Sequence, residues 1–383
     1  NIFNLKKEFT LELRHAYGFD DVAIVPGEIT INPDMVDTTF HLSNLEFKIP
    51  FIASSMDAIV SPDFSAAIHN QGGLGVLNLN GLFCKYENTD ELFAEIAKKT
   101  KEEITEFMQK IYAEPVKNSL IRKRIQEIKS SGAICAVATV PASTKELIPL
   151  VQDEGADILF VQSTVTTARH RSYSLKGLIF SEIKKILDIP LIVGNTVSYS
   201  VSRELMEQGV DGILVGVGPG HACTSRETIG IGMPQISATL DCARAINEFL
   251  KSTGKYVSIV TDGGIRTGGD VCKSMAAGAD AVMIGTPFAK TSEAPGLGFN
   301  WGMATSDSNL PRGTRINVGV ETDLETLLFG PSSKTDGTLN LVGALKNCMG
   351  MIGADTLRDM HEAQLIYAPS IKTEGKIYQI NSN

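Results

Sequence analysis

The sequence lacks several features that mark other classes of protein. No apolar run approaches the roughly 18 residues that cross a bilayer, and the opening stretch "NIFNLKKEFTLELRHAYG" is too charged for the apolar region of a signal peptide. Lysine and arginine number 35 against 44 aspartates and glutamates, so a net charge of −9 provides no basic stripe for nucleic acid. We therefore expect a soluble, cytoplasmic protein that binds neither membranes nor nucleic acid.

The cysteines do not form a metal or disulfide pattern. All six are scattered without a C-x-x-C pair, and none has a zinc-like spacing to the six histidines. The chain also lacks a Pro-, Gly- or Ser-rich linker, and its 383 residues are 43% hydrophobic, enough for a large core. We predict a single domain over residues 1–383, with no structural metal.

Eight short apolar runs alternate with stretches of helical period. The runs are continuously apolar, as in strands buried on both faces, and the helical stretches 61–72, 143–155, 197–209 and 267–278 each end in glycine. Eight such repeats over about 240 residues predict an α/β fold of the (β/α)₈ TIM barrel type. The predicted strands are 49–55, 74–78, 133–140, 157–162, 189–195, 211–216, 257–263 and 280–285.

Two connections are longer than the barrel requires. Residues 79–132 contain two charged helical segments, and the simplest interpretation is an elongated surface decoration. Residues 290–337 form an irregular stretch rich in Gly, Ser and Thr, which holds the single tryptophan, Trp301. Because long irregular loops in compact domains are usually functional or disordered, we predict an active-site flap here.

The last two predicted strands end in a candidate phosphate cradle. In barrels of this type the active site lies at the carboxyl ends of the strands, and phosphate commonly binds after strands seven and eight. Strand seven ends in Asp262, Gly263 and Gly264, and strand eight in Gly285 and Thr286. The glycines allow close backbone approach to an anion, and Asp262 can accept hydrogen bonds from ribose hydroxyls. The alternative is that the glycines serve only as tight turns.

A cysteine follows strand six at the same face of the barrel. In "GVGPGHACTSR" (216–226), Cys223 lies in a glycine-rich loop, where a thiol could act as a nucleophile if neighbours such as Ser225 favour the thiolate. The alternative is a small packed residue, which is how we interpret the other cysteines of the strands and helices. The carbonyls of Gly218 and Gly220 could also bind a monovalent cation.

These stretches resemble a known family. "YGFDDVAIVPG" (17–27), "SSMDAIV" (54–60), the Cys223 loop, "TDGGIRTGGD" (261–270) and "MIGTPFAKTSEAPG" (283–296) are similar to the successive signatures of the IMP dehydrogenase and GMP reductase family. "LPRGTRINVG" (310–319) and "NLVGALKNCMGMIGA" (340–354) resemble its compact IMP dehydrogenase-related branch. The resemblance implies a purine nucleotide substrate that Cys223 attacks at C2, with NAD or NADP as the redox partner.

The resemblance also implies the composition of the site. Potassium would bind the carbonyls of Gly218, Gly220 and Cys223, the protein would be a homotetramer, and the 79–132 connection is too short for the family's regulatory tandem-repeat insertion. The flap offers only arginines to activate water. The predicted catalytic residues are Cys223, Ser225, Arg312 and Arg315, the substrate-binding residues are Ser54, Met56, Asn195, Asp262, Gly263, Gly264, Gly285, Thr286 and Gly313, and the cofactor-binding residues are Gln162, Ser163, Gly216 and Gly218.

Four functions remain open from the sequence. An IMP dehydrogenase would oxidise IMP to XMP with NAD, and a GMP reductase would convert GMP and NADPH to IMP and ammonia. A flavin-binding barrel oxidoreductase could use the same phosphate cradle for FMN. A nucleotide-binding regulator without activity would explain Gln162 and Leu214 where the family commonly has Asp and a basic residue, but it would not require the thiol of Cys223.

Overall fold

Eight parallel strands form the closed barrel that the sequence predicts. The computed structural model describes residues 13–171, 178–221, 223–302 and 313–371. The barrel strands are β1 (Phe51–Ala53), β2 (Leu74–Asn78), β3 (Ala136–Thr139), β4 (Ile158–Gln162), β5 (Leu191–Thr196), β6 (Gly212–Val215), β7 (Ser258–Asp262) and β8 (Ala281–Ile284). Each pairs in parallel with the next, and β8 pairs with β1 to close the barrel.

The barrel strands are buried on both faces, as their continuous apolar sequences predict. One side of each strand packs inside the barrel and the other packs against helices, so alternation with polar residues is absent. Of all the barrel-strand residues, only Gln162 and Asp262 are partly exposed. Both are the last residues of their strands, which places polar groups at the carboxyl-terminal mouth.

Helices follow the strands and form the outer layer. The four predicted helical stretches correspond within a few residues to α1, α5, α7 and α10, and the side chains of Ser61 and Thr267 cap the first and last of these. The helices are α1 (Pro62–Asn70), α2 (Asp90–Lys98), α3 (Lys101–Tyr112), α4 (Asn118–Ser130), α5 (Pro141–Asp153), α6 (Phe180–Ile186), α7 (Tyr199–Glu207), α8 (Ser225–Ile229), α9 (Gln235–Thr253), α10 (Gly268–Ala276), α11 (Thr286–Ala289), α12 (Leu324–Phe329) and α13 (Leu341–Ile352).

The connection between β2 and β3 is more than a surface decoration. Helix α4 packs against α1 and α5, so it occupies the place of the outer-layer helix between these two strands. Helices α2 and α3 are additional, and they bury Phe93, Ile96 and Met108 in the same apolar core as the barrel. The connection is helical, and α4 belongs to the outer layer of the barrel.

Short strand pairs complete the fold. Val22–Ile24 pairs with Leu365–Tyr367, and Phe40–Leu42 with Leu45–Phe47. The stretch 290–337 is less irregular than its composition suggests, since it contains α12 and the antiparallel pair Phe299–Asn300 with Ile316–Asn317. Short 3₁₀ helices span Phe19–Asp21, Pro33–Met35, Leu82–Cys84 and Asp359–Glu362. Within the described ranges, no helix has the length and apolar character needed to cross a membrane.

Candidate active site

A cavity of about 1440 Å³ opens at the carboxyl ends of the barrel strands. This is larger than the ~300–1,000 Å³ typical of a site for one small ligand, so it has room for two. Each barrel strand contributes a lining residue at or near its end: Ser54, Asn78, Thr139, Gln162, Asn195, Gly216, Asp262 and Gly285. The strand tips that the sequence predicts to carry the site therefore meet around one space.

A hydrogen-bonded network connects four strand tips on the cavity floor. The amide nitrogens of Asn195 and Gln162 donate to the same oxygen of Asp262, Oδ2, at 2.8 and 2.9 Å. Gln162 also donates to Asn195 Oδ1 at 3.1 Å, while its own carbonyl accepts from the Ser55 hydroxyl at 3.0 Å. Both amide orientations are thereby fixed, and the Asp262 carboxylate is held in one plane.

The Asp262 carboxyl group titrates close to neutral pH. Desolvation at the cavity floor raises its pKa to about 6, although the hydrogen bonds from Asn195 and Gln162 act in the opposite direction. At pH 7 and above the group is mainly ionised. It is then an acceptor for hydroxyl donors, and this capacity declines as the pH falls through 6.

Strands β6 and β7 are held in close contact beneath the cavity. Gly216 has a φ of +149°, and a Cβ there would lie 2.1 Å from the Asp262 carbonyl oxygen. The buried Gln235 side chain joins the same two strands, because its Nε2 donates to the carbonyls of Val215 at 2.9 Å and Asp262 at 2.8 Å. The loop that carries the thiol therefore begins at a fixed distance from the carboxylate.

The loop after β6 brings Cys223 to the cavity. The Cys223 N–H donates to the Gly220 carbonyl at 3.0 Å, and the half-buried thiol lies 3.5 Å from the Ser225 hydroxyl, to which it donates. Arg226 does not face the thiol; its Nη2 donates to the Met233 carbonyl at 2.8 Å, so it holds the loop in shape. Cys223 and Ser225 both line the cavity.

The other cysteines are outside the cavity, as the sequence predicts for packed residues. Cys84, Cys135, Cys242 and Cys272 are buried, and desolvation raises the pKa of Cys135 and of Cys242 to about 12. Such thiols are protonated at neutral pH and do not act as nucleophiles. Cys348 is half-buried and is not among the lining residues. Of the cysteines that the structure describes, Cys223 alone lines the cavity.

The tips of β7 and β8 and a residue beyond them form one wall. Gly263 and Gly264 have φ values of +96° and +78°, and Gly285 and Thr286 lie across from them in the same cavity. Sequence analysis missed Asn300, whose Nδ2 donates to the Thr286 hydroxyl at 3.3 Å. Its buried Oδ1 has no partner among the described residues, although it lines the cavity. Nothing in the flanking "GFNWG" marks this asparagine as functional.

A second missed residue is a cation at the cavity edge. Arg266 follows the Gly263–Gly264 turn, and its guanidinium bonds to Asp20 at 2.7 Å and to Asp270 at 3.0 Å. The run "DGGIRTGGD" contains this arginine, but the sequence alone does not show that two carboxylates surround it. The pairing neutralises most of its charge, so the cavity wall here is not strongly cationic.

The structure describes one of the two arginines that were predicted to be catalytic. Arg312 lies outside the described residues. The Arg315 guanidinium is not among the lining groups; it donates to main-chain carbonyls at the end of α2 and lies 4.3 Å from the Phe299 ring centroid. Among the remaining predicted residues, those that line the cavity are Ser54, Met56, Gln162, Ser163, Asn195, Gly216, Gly218, Gly220, Asp262, Gly263, Gly264, Gly285, Thr286 and Gly313.

Comparison with known proteins identifies the family. A sequence profile of the IMP dehydrogenase / GMP reductase domain matches residues 16–375. The chain belongs to the IMP dehydrogenase/GMP reductase family. Family membership accounts for the barrel, for the order of the strand-tip motifs and for an oxidoreductase assignment, and it confirms the resemblance found in the sequence.

Proteins with different assigned functions are similar to this chain. The chain is 34% identical to an uncharacterized oxidoreductase of Mycolicibacterium smegmatis, over 92% of this chain and 96% of that protein. It is 28% identical to the inosine-5'-monophosphate dehydrogenase of Borreliella burgdorferi, over 91% and 92% of the two chains. The crystal structure of an IMP dehydrogenase/GMP reductase-like protein from Corynebacterium glutamicum superposes with a TM-score of 0.87 at 33% identity, over 93% and 95% of the two chains.

Proposed function

We propose that this family member is an IMP dehydrogenase-like enzyme that oxidises IMP to XMP with NAD through a covalent adduct on Cys223. The observation that carries the proposal is the placement of the Cys223 thiol in the same cavity as the Asp262 carboxylate and the glycine-rich tips of β7 and β8. A binding protein would need the carboxylate and the tips but not the thiol. Nucleophilic catalysis needs all three.

The cavity groups suit the parts of a purine nucleotide. Asp262 accepts the ribose hydroxyls through the oxygen that Asn195 and Gln162 leave free. The phosphate lies against Gly263, Gly264, Gly285 and Thr286. Because phosphate oxygens accept hydrogen bonds, the unpartnered Asn300 Oδ1 beside them accepts from an ordered water. Ser54 and Met56 line the wall between the ribose and the purine.

Covalent catalysis then proceeds in two stages at purine C2. The Cys223 thiol adds across the C2–N3 double bond, with its sulfur to C2 and its proton to N3, so that C2 becomes tetrahedral. The hydrogen at C2 then leaves with its electron pair. Bound NAD would accept this hydride, and Gln162, Ser163 and Gly218, which line the same cavity, are the residues that would hold it. Water then attacks C2, the C–S bond breaks, and XMP and the free thiol form with release of one proton. Splitting the reaction in this way replaces one high barrier by two lower ones.

Before the addition, the Ser225 hydroxyl accepts a hydrogen bond from the Cys223 thiol. The same loop could also bind a cation through its main-chain carbonyls. The Gly220 carbonyl already accepts the Cys223 N–H, which leaves one lone pair for potassium alongside the carbonyls of Gly218 and Cys223. We propose potassium activation and a homotetrameric assembly on the basis of family membership. Salt titration with KCl against choline chloride, and light scattering, test these two points.

A GMP reductase is the second candidate function. Its ammonia chemistry needs a proton donor, and Glu321 lines the cavity. However, Lys334 and Lys290 bond to this carboxylate and hold its pKa below the usual range, which makes it a poor acid. Glu321 is therefore a weak candidate for the acid that the reductase reaction needs.

One assay distinguishes these functions. Pure protein is incubated with IMP and NAD, and separately with GMP and NADPH, while the absorbance of the reduced cofactor is followed. We expect NADH formation from IMP and no NADPH consumption with GMP; the reverse result would make the protein a reductase. An absorbance scan of the purified protein tests the flavin alternative, because bound FMN would make it yellow.

We predict that Gln162→Glu weakens nucleotide binding about tenfold at pH 7.5. The change removes both amide donors to Asn195 and Asp262 and places a second carboxylate beside Asp262. Protonation of one of the paired carboxyls relieves the repulsion. The difference in nucleotide affinity between variant and wild type therefore becomes smaller towards pH 5.5. Wild-type binding itself weakens in that range, because Asp262 becomes protonated as the pH falls through about 6.

Calorimetry at several pH values measures the nucleotide affinity of both proteins. The nucleotide phosphate titrates equally in both experiments, so its effect cancels when the two affinities are divided. Gln152→Glu on the outer surface, where the side chain bonds to Ile186 and Asp188, is the control and should bind like wild type. If the ratio of wild-type to variant affinity stays constant with pH, Gln162 does not orient Asp262.

A further inference from the structure

Two helices outside the barrel hold the flap region at Trp301. The indole Nε1 of Trp301, which is 1% exposed, donates to the Tyr112 hydroxyl of α3 at 3.0 Å. That hydroxyl donates to Asp57 Oδ2 at 2.6 Å, and Asp57 follows the cavity residue Met56. Phe93 of α2 packs edge-on against the indole at 5.5 Å between ring centroids. Because each buried polar group needs its partner, this chain of contacts specifies one position for Trp301.

One of these helices, α2, also holds the flap region at Arg315. The Arg315 guanidinium donates to the carbonyls of Ile96, Ala97 and Lys99, of which the Ala97 bond is 3.3 Å. These carbonyls end α2, where the last turn lacks partners within the helix and the helix dipole favours a cation. Arg315 therefore donates to three carbonyls at the end of α2, and the Ile96 carbonyl among them also accepts from the Lys99 N–H at 3.4 Å.

Both contacts act on residues that line the cavity. The antiparallel pairing of Phe299–Asn300 with Ile316–Asn317 brings Trp301 and Arg315 to one end of a short ribbon. Their neighbours Gly302, Gly313 and Thr314 line the cavity, as does Thr105 of α3. The helices α2 and α3 thus contribute to the cavity directly and through the two anchored residues.

We propose that α2 and α3 form the support on which the cavity wall after β8 is positioned, and that Arg315 and Tyr112 are positioning residues for the reaction. The inference rests on the proposed function only for its kinetic test. It assigns to Arg315 a role different from activation of water, and it gives the long connection between β2 and β3 a part in catalysis.

The first test is Arg315→Met, which keeps the apolar stem against Phe299 and removes the donors to α2. We expect kcat to fall at least about tenfold, since small displacements of positioned groups have effects of this size. The dissociation constant for the nucleotide, measured by calorimetry, should change less than about threefold, because the strand tips are untouched. Arg315→Lys should restore part of kcat by donating to one or two of the carbonyls.

Pre-steady-state kinetics separates positioning from water activation. If Arg315 activated water, its loss would slow only hydrolysis, and a burst of NADH equal to the enzyme concentration would appear with nucleotide trapped on Cys223. If Arg315 positions the wall, hydride transfer and hydrolysis slow together and no burst appears. A burst in Arg315→Met would overturn the inference.

Trp301 gives a readout that is independent of turnover, because it is the only tryptophan of the chain. We expect Tyr112→Phe and Arg315→Met to increase acrylamide quenching of its fluorescence at least about twofold relative to wild type, since both loosen its support. The control is Arg122→Met on α4, whose guanidinium pairs with Glu154 and not with α2. This variant should match wild type in quenching and in kcat.

Failure of this proposal can be distinguished from failure of the proposed function. All variants are compared well below their unfolding temperatures, as followed by circular dichroism. If wild type turns over no nucleotide, the proposed function fails, and the quenching measurements still decide whether α2 and α3 support Trp301. Unchanged quenching in both variants, or an equal loss of kcat in Arg122→Met, would overturn the inference.

Discussion

Cys223→Ala is expected to reduce turnover at least about a thousandfold, because it removes the one thiol that the described part of the cavity offers for addition to C2. The nucleotide should still bind within a few-fold of wild type, since Asp262 and the tips of β7 and β8 are unchanged. Steady-state kinetics and calorimetry measure the two quantities. If more than a few per cent of the activity remains, Cys223 is not the nucleophile.

The control for this change is Cys242→Ala. The Cys242 thiol is buried and accepts a hydrogen bond from the Ser202 hydroxyl at 3.1 Å, far from the cavity. Its loss should lower the free energy of unfolding by about 1 kcal/mol and leave kcat unchanged. Mass spectrometry of wild type quenched during turnover should show the nucleotide adduct on Cys223 and none on Cys242.

Asp262→Ala is expected to weaken nucleotide binding by about 2–4 kcal/mol, the usual cost of removing one partner of a charged hydrogen bond. The change also leaves the amides of Asn195 and Gln162 without their common acceptor, so part of the loss comes from disorder of the cavity floor. Calorimetry with IMP measures the effect.

Two comparisons make the Asp262 result specific. Asp241→Ala, which removes the surface partner of Arg14, should bind IMP like wild type. A 2'-deoxyribonucleotide should lose less affinity than IMP on going from wild type to Asp262→Ala, since it offers one hydroxyl fewer. Equal affinity of Asp262→Ala and wild type for IMP would move the ribose away from β7.

The barrel and the strand-tip residues were predictable because their signal is local. A strand buried on both faces must be apolar throughout, so each polar or glycine residue at its end is conspicuous; Asp262 and the Gly263–Gly264 turn are examples. The order of the strands in a parallel barrel then determines that their tips meet. Fold, cavity and the separation of Cys223 from the packed cysteines follow from these facts.

The residues that were not predictable depend on contacts between distant parts of the chain. Arg315 carries the same charge whether it faces a nucleotide or the carbonyls of α2, more than 200 positions away along the chain. Asn300 is one polar residue in an irregular stretch, and its Oδ1 becomes notable only when burial leaves it unpartnered. Gln162 was predicted only as a residue for the cofactor, and its hydrogen bond to Asp262 adds an orienting role that the sequence does not show.

The close contact of the β6 loop with β7 has a consequence for which molecules the enzyme can select. At Gly216 a side chain would collide with the Asp262 carbonyl, and at Gly263 one would approach within 3.0 Å of Pro219. The main chain at the start of the thiol-bearing loop is therefore held close to that of Asp262. If Cys223 and Asp262 act as proposed, the span between the sulfur and the sugar has little freedom to lengthen. We then expect a nucleotide analogue with one extra bond between sugar and base to bind without presenting its carbon to the sulfur, and so to act as an inhibitor instead of a substrate.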